Sequence, residues 1–308
     1  MKTQHPQIIH PGQTVFLRED LDVKKYLVKI PRQNIEIVFF GSDSWSIHVL
    51  KTLEDNFDVK AVVTAPDSAV ANHFKGPVLT PDTLDEAFLT TNYQLLTTNL
   101  FIVASYGKII PKAILNIPKY GALNVHPSLL PKYRGPSPVP ATILNGDKVT
   151  GVTIIKMDEK MDHGPIVAVK KIRLTGREIF PDLINKLFQL GGELLVKIIP
   201  DYITGKIKPL GQNQAMAVFC PRLSRKSGYF DIEKPPSPEM LDRMIRAYYP
   251  WPGVWTRFRP SGSSGQARIV KFLPGGMLQM EGKKPISFKD FLNGYPDFLL
   301  KSITLDKK

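Results

Sequence analysis

Residues 35–64 read IEIVFFGSDSWSIHVLKTLEDNFDVKAVVT, and their pattern indicates the class of fold. Residues 35–41 form a continuous apolar run, which is the pattern of a strand covered on both faces. Apolar side chains at helical spacing follow over residues 45–53, and residues 59–64 have the pattern of a second buried strand. A strand, a helix and a strand in this order predict a parallel sheet with right-handed crossovers.

The turn after the first strand argues against a bound dinucleotide. Ligands of such sheets bind at the carboxyl ends of the strands, and residues 41–44 at this point read GSDS. The turn lacks the G-x-G-x-x-G pattern that brings a backbone close to a pyrophosphate. Nucleotide binding is therefore disfavoured.

The alternation of strands and helices continues to about residue 204. Further elements are predicted as strands over residues 101–107, 121–126, 150–157 and 166–174, and as helical segments over residues 81–90, 111–115 and 138–144. Residues 65–80 contain scattered Gly and Pro and are expected to form a loop. A long amphipathic helix carries an apolar stripe from Leu183 to Ile198, and Pro200 is expected to bend or end it.

The pattern of the chain changes after this helix. Residues 205–220 have no clear periodicity and contain Gly and Pro, as an inter-domain linker does. Beyond them, one helix and several short strands separated by Gly/Pro turns predict a small OB-like β-barrel. These elements are a helix at residues 238–246 and strands at 254–259, 267–273, 277–280 and 286–288.

We therefore predict an α/β protein with two domains. A Rossmann-like domain with a mostly parallel sheet is expected at residues 34–204, and a β-barrel domain at residues 221–308. Residues 1–33 are a polar N-terminal extension without the apolar segment of a secretory signal. Their acidic residues also argue against an organellar transit peptide.

Composition limits the classes of partner. The chain is 43% hydrophobic and 22% charged, and it contains no apolar run of the roughly 18 residues that a membrane span needs. A single cysteine, Cys220, excludes an internal disulfide framework and a multi-cysteine metal site. We expect no membrane partner.

The net charge is concentrated in the C-terminal part. Residues 221–308 contain 16 Lys/Arg and 8 Asp/Glu, so they hold +8 of the total net charge of +13. Such a surface predicts a polyanionic partner, with nucleic acid ahead of a membrane surface. The alternative is a surface kept soluble by its lysines.

Residues 121–131, GALNVHPSLLP, contain the candidate reaction centre. Residues two apart on a strand project from the same face, so Asn124 and His126 are expected to lie side by side. An amide and an imidazole can both direct N–H donors at a developing oxyanion, and the imidazole can handle a proton near neutral pH. Pro127 favours an extended backbone at His126 and so helps to hold this geometry.

The turn at residues 157–164, MDEKMDHG, is predicted to supply the third participant. Asp162 is the favoured candidate because the nearby Gly164 permits a close approach of the backbone. A carboxylate at this place can orient the imidazole of His126 and stabilise its charged form.

Each of these residues also has an ordinary structural explanation. A histidine at a strand end is commonly a hydrogen-bonded surface residue, and an aspartate in a turn commonly shapes that turn. A metal site formed by His126, Asp162 and His163 is a further alternative at this point. Covalent catalysis is disfavoured because the chain has no G-x-S-x-G motif and Cys220 has no histidine nearby in the sequence.

Residues 124–135, NVHPSLLPKYRG, resemble the formyltransferases that use 10-formyltetrahydrofolate. Asp162 within MDEKMDHG matches the third catalytic position of this family. Residues 104–111, ASYGKIIP, are similar to the family's A-Y-G-x-I-L-P segment, with a difference around Ser105.

The resemblance implies a role for each residue of the candidate site. Asn124, His126 and Asp162 are expected to be catalytic, and His163 has no role in the family pattern, so no metal is expected. The folate, 10-formyltetrahydrofolate, is expected to bind along four consecutive residues: Ser128, Leu129, Leu130 and Pro131.

Three C-terminal segments indicate the acceptor. Residues 222–226 (RLSRK), 246–253 (RAYYPWPG) and 282–292 (GKKPISFKDFL) resemble the C-terminal domain of the family members that formylate methionine on initiator tRNA. The resemblance thus extends over about residues 34–295. It implies that initiator methionyl-tRNA is the partner and that formylation serves translation initiation. We expect a monomer located in a bacterial cytoplasm rather than a mitochondrial matrix.

Two other functions remain as alternatives. One is formyl transfer to a nucleotide-linked small amine, and the other is a non-catalytic RNA-binding module on the same fold. The second would be indicated by degraded catalytic positions, and all three are intact. The first is disfavoured by the additional basic domain.

With tRNA as the expected partner, the basic and aromatic residues of the chain predict how it is held. Trp251 and Trp255 can stack on bases, although their flanking prolines favour packing in the barrel core. Residues 67–77, DSAVANHFKGP, stand where family members often carry a basic insertion that enters the acceptor arm, and Lys75 is their only Lys or Arg. The residues expected to meet tRNA phosphates are Arg222, Arg225, Lys226, Arg243, Arg246 and Arg257.

Overall fold

A computed structural model describes residues 35–261, 266–298 and 300 of the chain. The predicted N-terminal extension of residues 1–33 lies outside this part. The chain divides into two compact units whose segments alternate along the sequence. Among the described residues, the first unit includes residues 35–129, 151–171 and 188–212, and the second includes residues 130–150, 172–187, 213–261, 266–298 and 300. The predicted domain boundaries stay a prediction.

A seven-stranded sheet forms the framework of the first unit. Its strands are β1 (Glu36–Phe40), β2 (Asp58–Val63), β3 (Val78–Leu79), β4 (Leu100–Val103), β5 (Ala122–His126), β6 (Val149–Lys156) and β7 (Ile166–Arg173). Their order across the sheet is β3-β2-β1-β4-β5-β6-β7. The pairs from β3 to β5 are parallel, and β6 runs antiparallel to β5. The mostly parallel sheet predicted from the sequence is confirmed.

Six helices are distributed along the same part of the sequence. They are α1 (Ser46–Asn56), α2 (Ala69–His73), α3 (Glu86–Leu96), α4 (Lys112–Leu115), α5 (Pro138–Leu144) and α6 (Phe180–Ile203). None of the described helices is long and apolar enough to cross a membrane.

Two predictions for this region were wrong. Residues 65–80 are not a continuous loop, because they contain α2 and the two-residue strand β3, which is held by parallel pairing with β2. Helix α6 does not end at Pro200 but continues to Ile203, so the expected end was wrong, whereas a bend at Pro200 stays a prediction. Proline removes only one backbone donor, and the buried Ile199 and Tyr202 keep the last turn packed.

The core covers both faces of the sheet. Alternate residues of β1, Val38 and Phe40, are fully buried in one apolar cluster, and the intervening Phe39 is fully buried as well. The prediction that the central strands are covered on both faces is therefore confirmed. The cluster around Phe40 is extended by side chains from neighbouring strands and the segment after β4: Ala61, Val63, Phe101, Val103, Tyr106, Ile110 and Ile114.

Helix α6 packs closely against β5, the strand that ends at the candidate site. A Cβ atom on Gly191 would collide with the side chain of Val125, so the missing side chain allows this contact. The hydroxyl of Tyr202 donates a hydrogen bond of 2.9 Å to the carbonyl oxygen of Tyr120, just before β5. Burial raises the pKa of Tyr202 to about 12, so its hydroxyl remains a proton donor at neutral pH.

The second unit contains a four-stranded antiparallel sheet. Its strands are β8 (Val254–Phe258), β9 (Arg268–Leu273), β10 (Met277–Met280) and β11 (Ile286–Ser287), in the order β11-β10-β9-β8. Two further helices are α7 (Pro238–Tyr248) and α8 (Phe288–Gly294). The antiparallel strands are confirmed, whereas closure into an OB-like barrel stays a prediction.

The last predicted strand is shorter than expected. It was predicted at residues 286–288, but helix α8 begins at Phe288. The hydroxyl oxygen of Ser287 accepts a hydrogen bond of 3.1 Å from the backbone N–H of Asp290, which caps the helix. This cap ends the strand after two residues.

Candidate active site

Strand β5 places Asn124 and His126 on the same face of the sheet. It lies between β4 and β6, so both of its edges are hydrogen-bonded. Asn124 is paired in register with Ile155 and His126 with Thr153. His126 is only 4% exposed, and Asn124 is half-buried. The strand end is therefore fixed from both sides, as the predicted reaction centre requires.

Asp162 reaches this pair from the turn after β6. Its Oδ1 lies 3.3 Å from Nδ2 of Asn124 and 3.5 Å from Nδ1 of His126. The Asp162 side chain is 13% exposed. The backbone of Asp162 has φ 50°, a left-handed conformation that Asp tolerates better than most residues. All three residues predicted to be catalytic are thus brought together.

The neighbouring His163 belongs to a different contact. Its Nδ1 lies 2.6 Å from Oδ2 of Asp158, within the same turn. Among the described residues, no group of three or more His, Cys, Asp or Glu is arranged to hold a metal ion. His126, Asp162 and His163 accordingly do not form the three-residue cluster considered as an alternative.

Gln212 holds the turn that carries Asp162, and the sequence had not indicated it. Its Nε2 donates hydrogen bonds of 2.9 Å to the carbonyl oxygen of Asp162 and 2.8 Å to that of Gly164. Gln212 is only 8% exposed, so the bond to Gly164 is buried and the bond to Asp162 is partly buried. It lies 50 residues from Asp162 in the predicted linker, where no local pattern marks its role.

Gly164 is required at the end of this turn. A Cβ atom at this position would collide with the carbonyl oxygen of Lys156. The turn is closed by a hydrogen bond of 2.9 Å from the backbone N–H of Lys156 to the carbonyl oxygen of Pro165. The close backbone approach expected at Gly164 is confirmed.

The loop after His126 begins with a fully buried serine. The backbone N–H of Ser128 donates to the carbonyl oxygen of His126 at 2.9 Å, and its own carbonyl oxygen accepts from Oγ1 of Thr153 at 2.6 Å. Leu130 is buried, whereas Leu129 and Pro131 are half-buried. The folate-binding role of residues 128–131 stays a prediction.

A second polar group lies at the carboxyl ends of β1 and β4, where the strand order reverses. The Ser105 hydroxyl donates to a carboxylate oxygen of Asp43 and accepts a hydrogen bond of 3.2 Å from Nε1 of Trp45. The carbonyl oxygen of Ser105 also accepts from the backbone N–H of Ser42 at 3.1 Å. The residue that differs from the family segment therefore ties the end of β4 to the turn before α1, a contact that sequence reasoning missed.

The site is suited to polarising a carbonyl group and holding a proton. An amide nitrogen carries two hydrogens, so Asn124 can donate to Asp162 and to a second acceptor. An imidazole has a second ring nitrogen beyond the one that faces the carboxylate, and it can donate from both when protonated. A carboxylate near both groups favours their donor orientation.

Comparison with known proteins agrees with this chemistry. The family model described as "Formyl transferase" matches residues 14–199, which is more than half of the chain. The chain therefore belongs to the formyl transferase family.

Its similarity to individual members is more specific. The methionyl-tRNA formyltransferase of Chloroflexus aurantiacus is 38% identical over 255 residues, which cover 77% of this chain and 79% of that protein. The methionyl-tRNA formyltransferase of Enterococcus faecalis is 37% identical over 304 residues, covering 84% of this chain and 96% of that protein. The similarity thus includes the C-terminal part, and the resemblance stated from the sequence is confirmed.

A solved structure shares the fold at much lower identity. HypX from Aquifex aeolicus, in complex with tetrahydrofolic acid, matches with a TM-score of 0.57 and 14% identity. The match covers 88% of this chain and 48% of that chain. At this level of identity the likeness shows the fold alone.

Proposed function

We propose that this protein transfers the formyl group of 10-formyltetrahydrofolate to the α-amino group of methionine on initiator methionyl-tRNA, for translation initiation. The observation that carries the proposal is the Asp162 carboxylate, which lies within 3.5 Å of both Asn124 and His126 in a member of the formyl transferase family. The methionyl-tRNA formyltransferases named above support the choice of acceptor.

Asn124 and His126 are assigned to the formyl oxygen. Attack of a neutral amine on a formyl carbon places negative charge on that oxygen in the transition state. The Asn124 amide and the protonated His126 ring donate hydrogen bonds to it there. Removal of one such donor typically slows a reaction by about 10²–10³-fold.

Asp162 is assigned to orient His126 and to stabilise its charged form. It also assists removal of a proton from the attacking amine, which must lose one as the new C–N bond forms. The bond between the formyl carbon and N10 of the folate breaks, and a proton is delivered to N10. Because Gln212 donates to two backbone carbonyl oxygens of this turn, those of Asp162 and Gly164, the carboxylate is held in place.

The folate is a substrate that supplies the formyl group and is consumed in each turnover. The site fits a formyl oxygen, since an amide and an imidazole that can donate meet the carboxylate that orients them at a strand end largely closed to water. We assign the folate to residues 128–131, with the half-buried Leu129 and Pro131 as the side chains that contact it.

The basic C-terminal part is assigned to tRNA. Arg222, Arg225, Lys226 and Arg257 are exposed and fit contacts with phosphates. Arg246 instead binds the Asp242 carboxylate at 2.7 Å, and Arg243 donates to the carbonyl oxygen of Leu144 at 3.5 Å. We therefore favour the four exposed cations over these two for the tRNA contacts.

The segment at residues 67–77 is assigned no phosphate contact. It contains helix α2, and the ring of His73 at the end of that helix lies 2.9 Å from the Glu54 carboxylate on α1. Lys75 is exposed and is the only Lys or Arg in the segment.

We also propose that the C-terminal sheet belongs to an OB-like barrel. We propose that the enzyme works as a monomer in a bacterial cytoplasm, in keeping with the bacterial origin of the relatives named above.

A formylation assay tests the proposed function. The purified protein is incubated with 10-formyltetrahydrofolate and initiator methionyl-tRNA, and the amino acid released from the tRNA is analysed for N-formylmethionine. We expect formylation with methionyl-tRNA and none with a nucleotide-linked amino sugar. Formylation of the amino sugar in place of methionyl-tRNA would contradict the proposal.

A further inference from the structure

The C-terminal unit exposes an aromatic residue that was expected in its core. Trp251 is 58% exposed, so its predicted packing in the barrel interior was wrong. The flanking Pro250 and Pro252 belong to a turn between α7 and β8, and this turn directs the indole outward. An exposed Trp is unusual because burying a large aromatic side chain is strongly favourable.

The outer face of the four-stranded sheet has a row of polar and aromatic side chains next to this turn. Trp255 of β8 is paired in register with Lys271 of β9, and Lys271 with Gln279 of β10. Residues directly opposite one another in antiparallel strands project from the same face. An aromatic ring, a cation and an amide therefore stand side by side across three strands.

Arg225 completes the row from outside the sheet. Its guanidinium lies 5.8 Å from the centre of the Trp255 ring, and its carbonyl oxygen accepts a hydrogen bond of 3.0 Å from Nε1 of Trp255. The ring of Tyr229 lies 4.8 Å from the same indole. Trp255 is thus held on several sides, which gives the neighbouring exposed groups a rigid support.

These residues line a groove with two adjoining cavities. The larger has a volume of about 310 Å³ and is lined by Arg225, Trp251, Trp255 and Lys271. The smaller, of about 160 Å³, shares Arg225 and Lys271 with it and includes Glu281. The larger volume falls at the lower end of the roughly 300–1,000 Å³ that is usual for small-ligand sites.

The charge of the groove favours an anionic occupant. Arg225 and Lys271 are exposed, and among the described residues neither has an ion-pair partner, whereas Arg246 of the same unit is paired with Asp242. Glu281 is the one acidic lining residue, and it lies in the smaller cavity. Cations next to an exposed ring are the combination that binds unpaired nucleotides, because the ring stacks on the base while the cations meet the phosphate.

We propose that this groove binds one unpaired nucleotide of RNA, with its base stacked on Trp251 and its phosphate between Arg225 and Lys271. The inference rests on the proposed function in one respect, since it takes the RNA to be the tRNA substrate. It goes further by naming a base-stacking position, in addition to the phosphate contacts that a basic surface supplies.

Substitution of Trp251 tests the stacking position. The dissociation constant of full-length protein for initiator tRNA is measured by fluorescence anisotropy of end-labelled tRNA. Trp251→Ala is expected to raise it by about 5- to 150-fold, the effect of losing one stacked base, and Trp251→Phe by much less. Tyr93→Ala is the control, because Tyr93 is an aromatic residue of similar exposure, 55%, on α3 of the first unit.

Three results of the Trp251 experiment would overturn the stacking assignment. An unchanged dissociation constant for Trp251→Ala, or equal losses for the Ala and Phe variants, overturns the stacking assignment. An equal loss for Tyr93→Ala also overturns it, because the effect would then not be specific to the groove. Thermal unfolding of each variant verifies that the fold is intact, which is expected because the indole of Trp251 is largely outside the core.

Salt dependence tests the phosphate position independently. The slope of log Kd against log salt concentration is expected to fall by about one for Lys271→Gln, since one phosphate contact is lost. Trp251→Ala should leave this slope unchanged, and Lys51→Gln, at an exposed position on α1, serves as the control. An unchanged slope for Lys271→Gln overturns the phosphate assignment.

Failure of this inference and failure of the proposed function can be separated. If the wild-type protein formylates methionyl-tRNA but Trp251→Ala binds tRNA normally, the nucleotide-binding role of the groove is wrong and the proposed function is supported. If Trp251→Ala loses affinity for tRNA but the wild-type protein formylates no methionyl-tRNA, the nucleotide-binding role of the groove is supported and the proposed function is wrong. If the groove instead binds a protein partner, Trp251→Ala and Lys271→Gln would both leave tRNA affinity unchanged, which would overturn the proposal.

Discussion

The end of strand β5 and the outer face of the four-stranded sheet present polar side chains in opposite ways. At β5, His126 is 4% exposed and Asp162 lies within 3.5 Å of two partners. At and beside the outer face, Trp251 is 58% exposed, and Arg225 and Lys271 face solvent. The first region is closed and internally bonded, and the second is open and positively charged.

This difference corresponds to two tasks. A reacting carbonyl requires donors that are already oriented in a site of low dielectric, because reorientation during the reaction costs free energy. A long polyanion such as tRNA is bound by many exposed contacts that are each weak and sensitive to salt. We infer that the first region carries out the chemistry and the second holds the RNA.

The largest expected effect is that of His126→Ala. Loss of one oxyanion donor should lower kcat by about 10²–10³-fold. Affinity for tRNA should stay within a factor of about two, because the groove of the second unit is untouched. Steady-state formylation kinetics and tRNA-binding assays measure the two effects.

His48→Ala is the matched control for that variant. His48 is an exposed histidine on α1 and has no assigned role in the reaction. A turnover of His126→Ala within a few-fold of wild type would contradict the assignment, and so would an equal loss in the control.

A smaller loss is expected for Asp162→Asn, which keeps the shape of the side chain and removes its charge. Asp162 is proposed to act through His126 and through assisted proton removal, so we expect a loss at the lower end of the roughly 10²–10⁴-fold that general acid–base catalysis contributes. Steady-state formylation kinetics measure the loss, which should fall on kcat rather than on KM. A kcat of Asp162→Asn within a few-fold of wild type would contradict the assignment.

The features of the fold and the site that could be predicted are those set by the pattern of residues close together in the sequence. The continuous apolar runs of β1 and β2, with helical spacing between them, predicted the sheet, and the two-residue period of a strand placed Asn124 beside His126. Gln212 could not be predicted in this way. Its partner Asp162 is 50 residues distant, and an isolated Gln in an aperiodic segment carries no local signal.

Other failures came from tertiary contacts that override local preference. Strand β3 has only two residues and exists because it pairs with β2. The prolines beside Trp251 were interpreted as favouring core packing, but they lie in a turn and do not determine which way the side chain points. The number of predicted strands alone does not determine whether the C-terminal sheet closes into a barrel.

Gly→Ala substitutions in the two regions should affect different functions. A Cβ at Gly164 would collide with the Lys156 carbonyl oxygen, and one at Gly228 with the Gly253 carbonyl oxygen. Each Ala variant should lose about 1–3 kcal/mol of stability, as is usual when a packed site must shift. Gly164→Ala should lower kcat, and Gly228→Ala, beside the groove, should weaken tRNA binding instead.

Thermal unfolding and the two functional assays together distinguish these outcomes. The same loss of tRNA affinity in both glycine variants would show that the two regions cannot be disturbed separately. That result would argue against the division of tasks.

The smallest expected effect belongs to Gln212→Ala. It removes two hydrogen bonds to backbone carbonyl oxygens, at about 1 kcal/mol of stability each. Urea unfolding should detect this loss, and kcat should fall less than in Asp162→Asn because the carboxylate itself remains. Unchanged stability together with unchanged kcat would contradict the role of Gln212 in positioning the turn.

The division of tasks is tested most directly by a double-mutant cycle of His126→Ala and Trp251→Ala. The ratio kcat/KM for methionyl-tRNA is measured for the wild type, both single variants and the double variant. Sites that act independently have additive free energies, within about 0.5 kcal/mol. We predict that the double variant loses the product of the two single losses, with the His126→Ala loss in kcat and the Trp251→Ala loss in KM. A double variant no worse than His126→Ala alone would contradict the account.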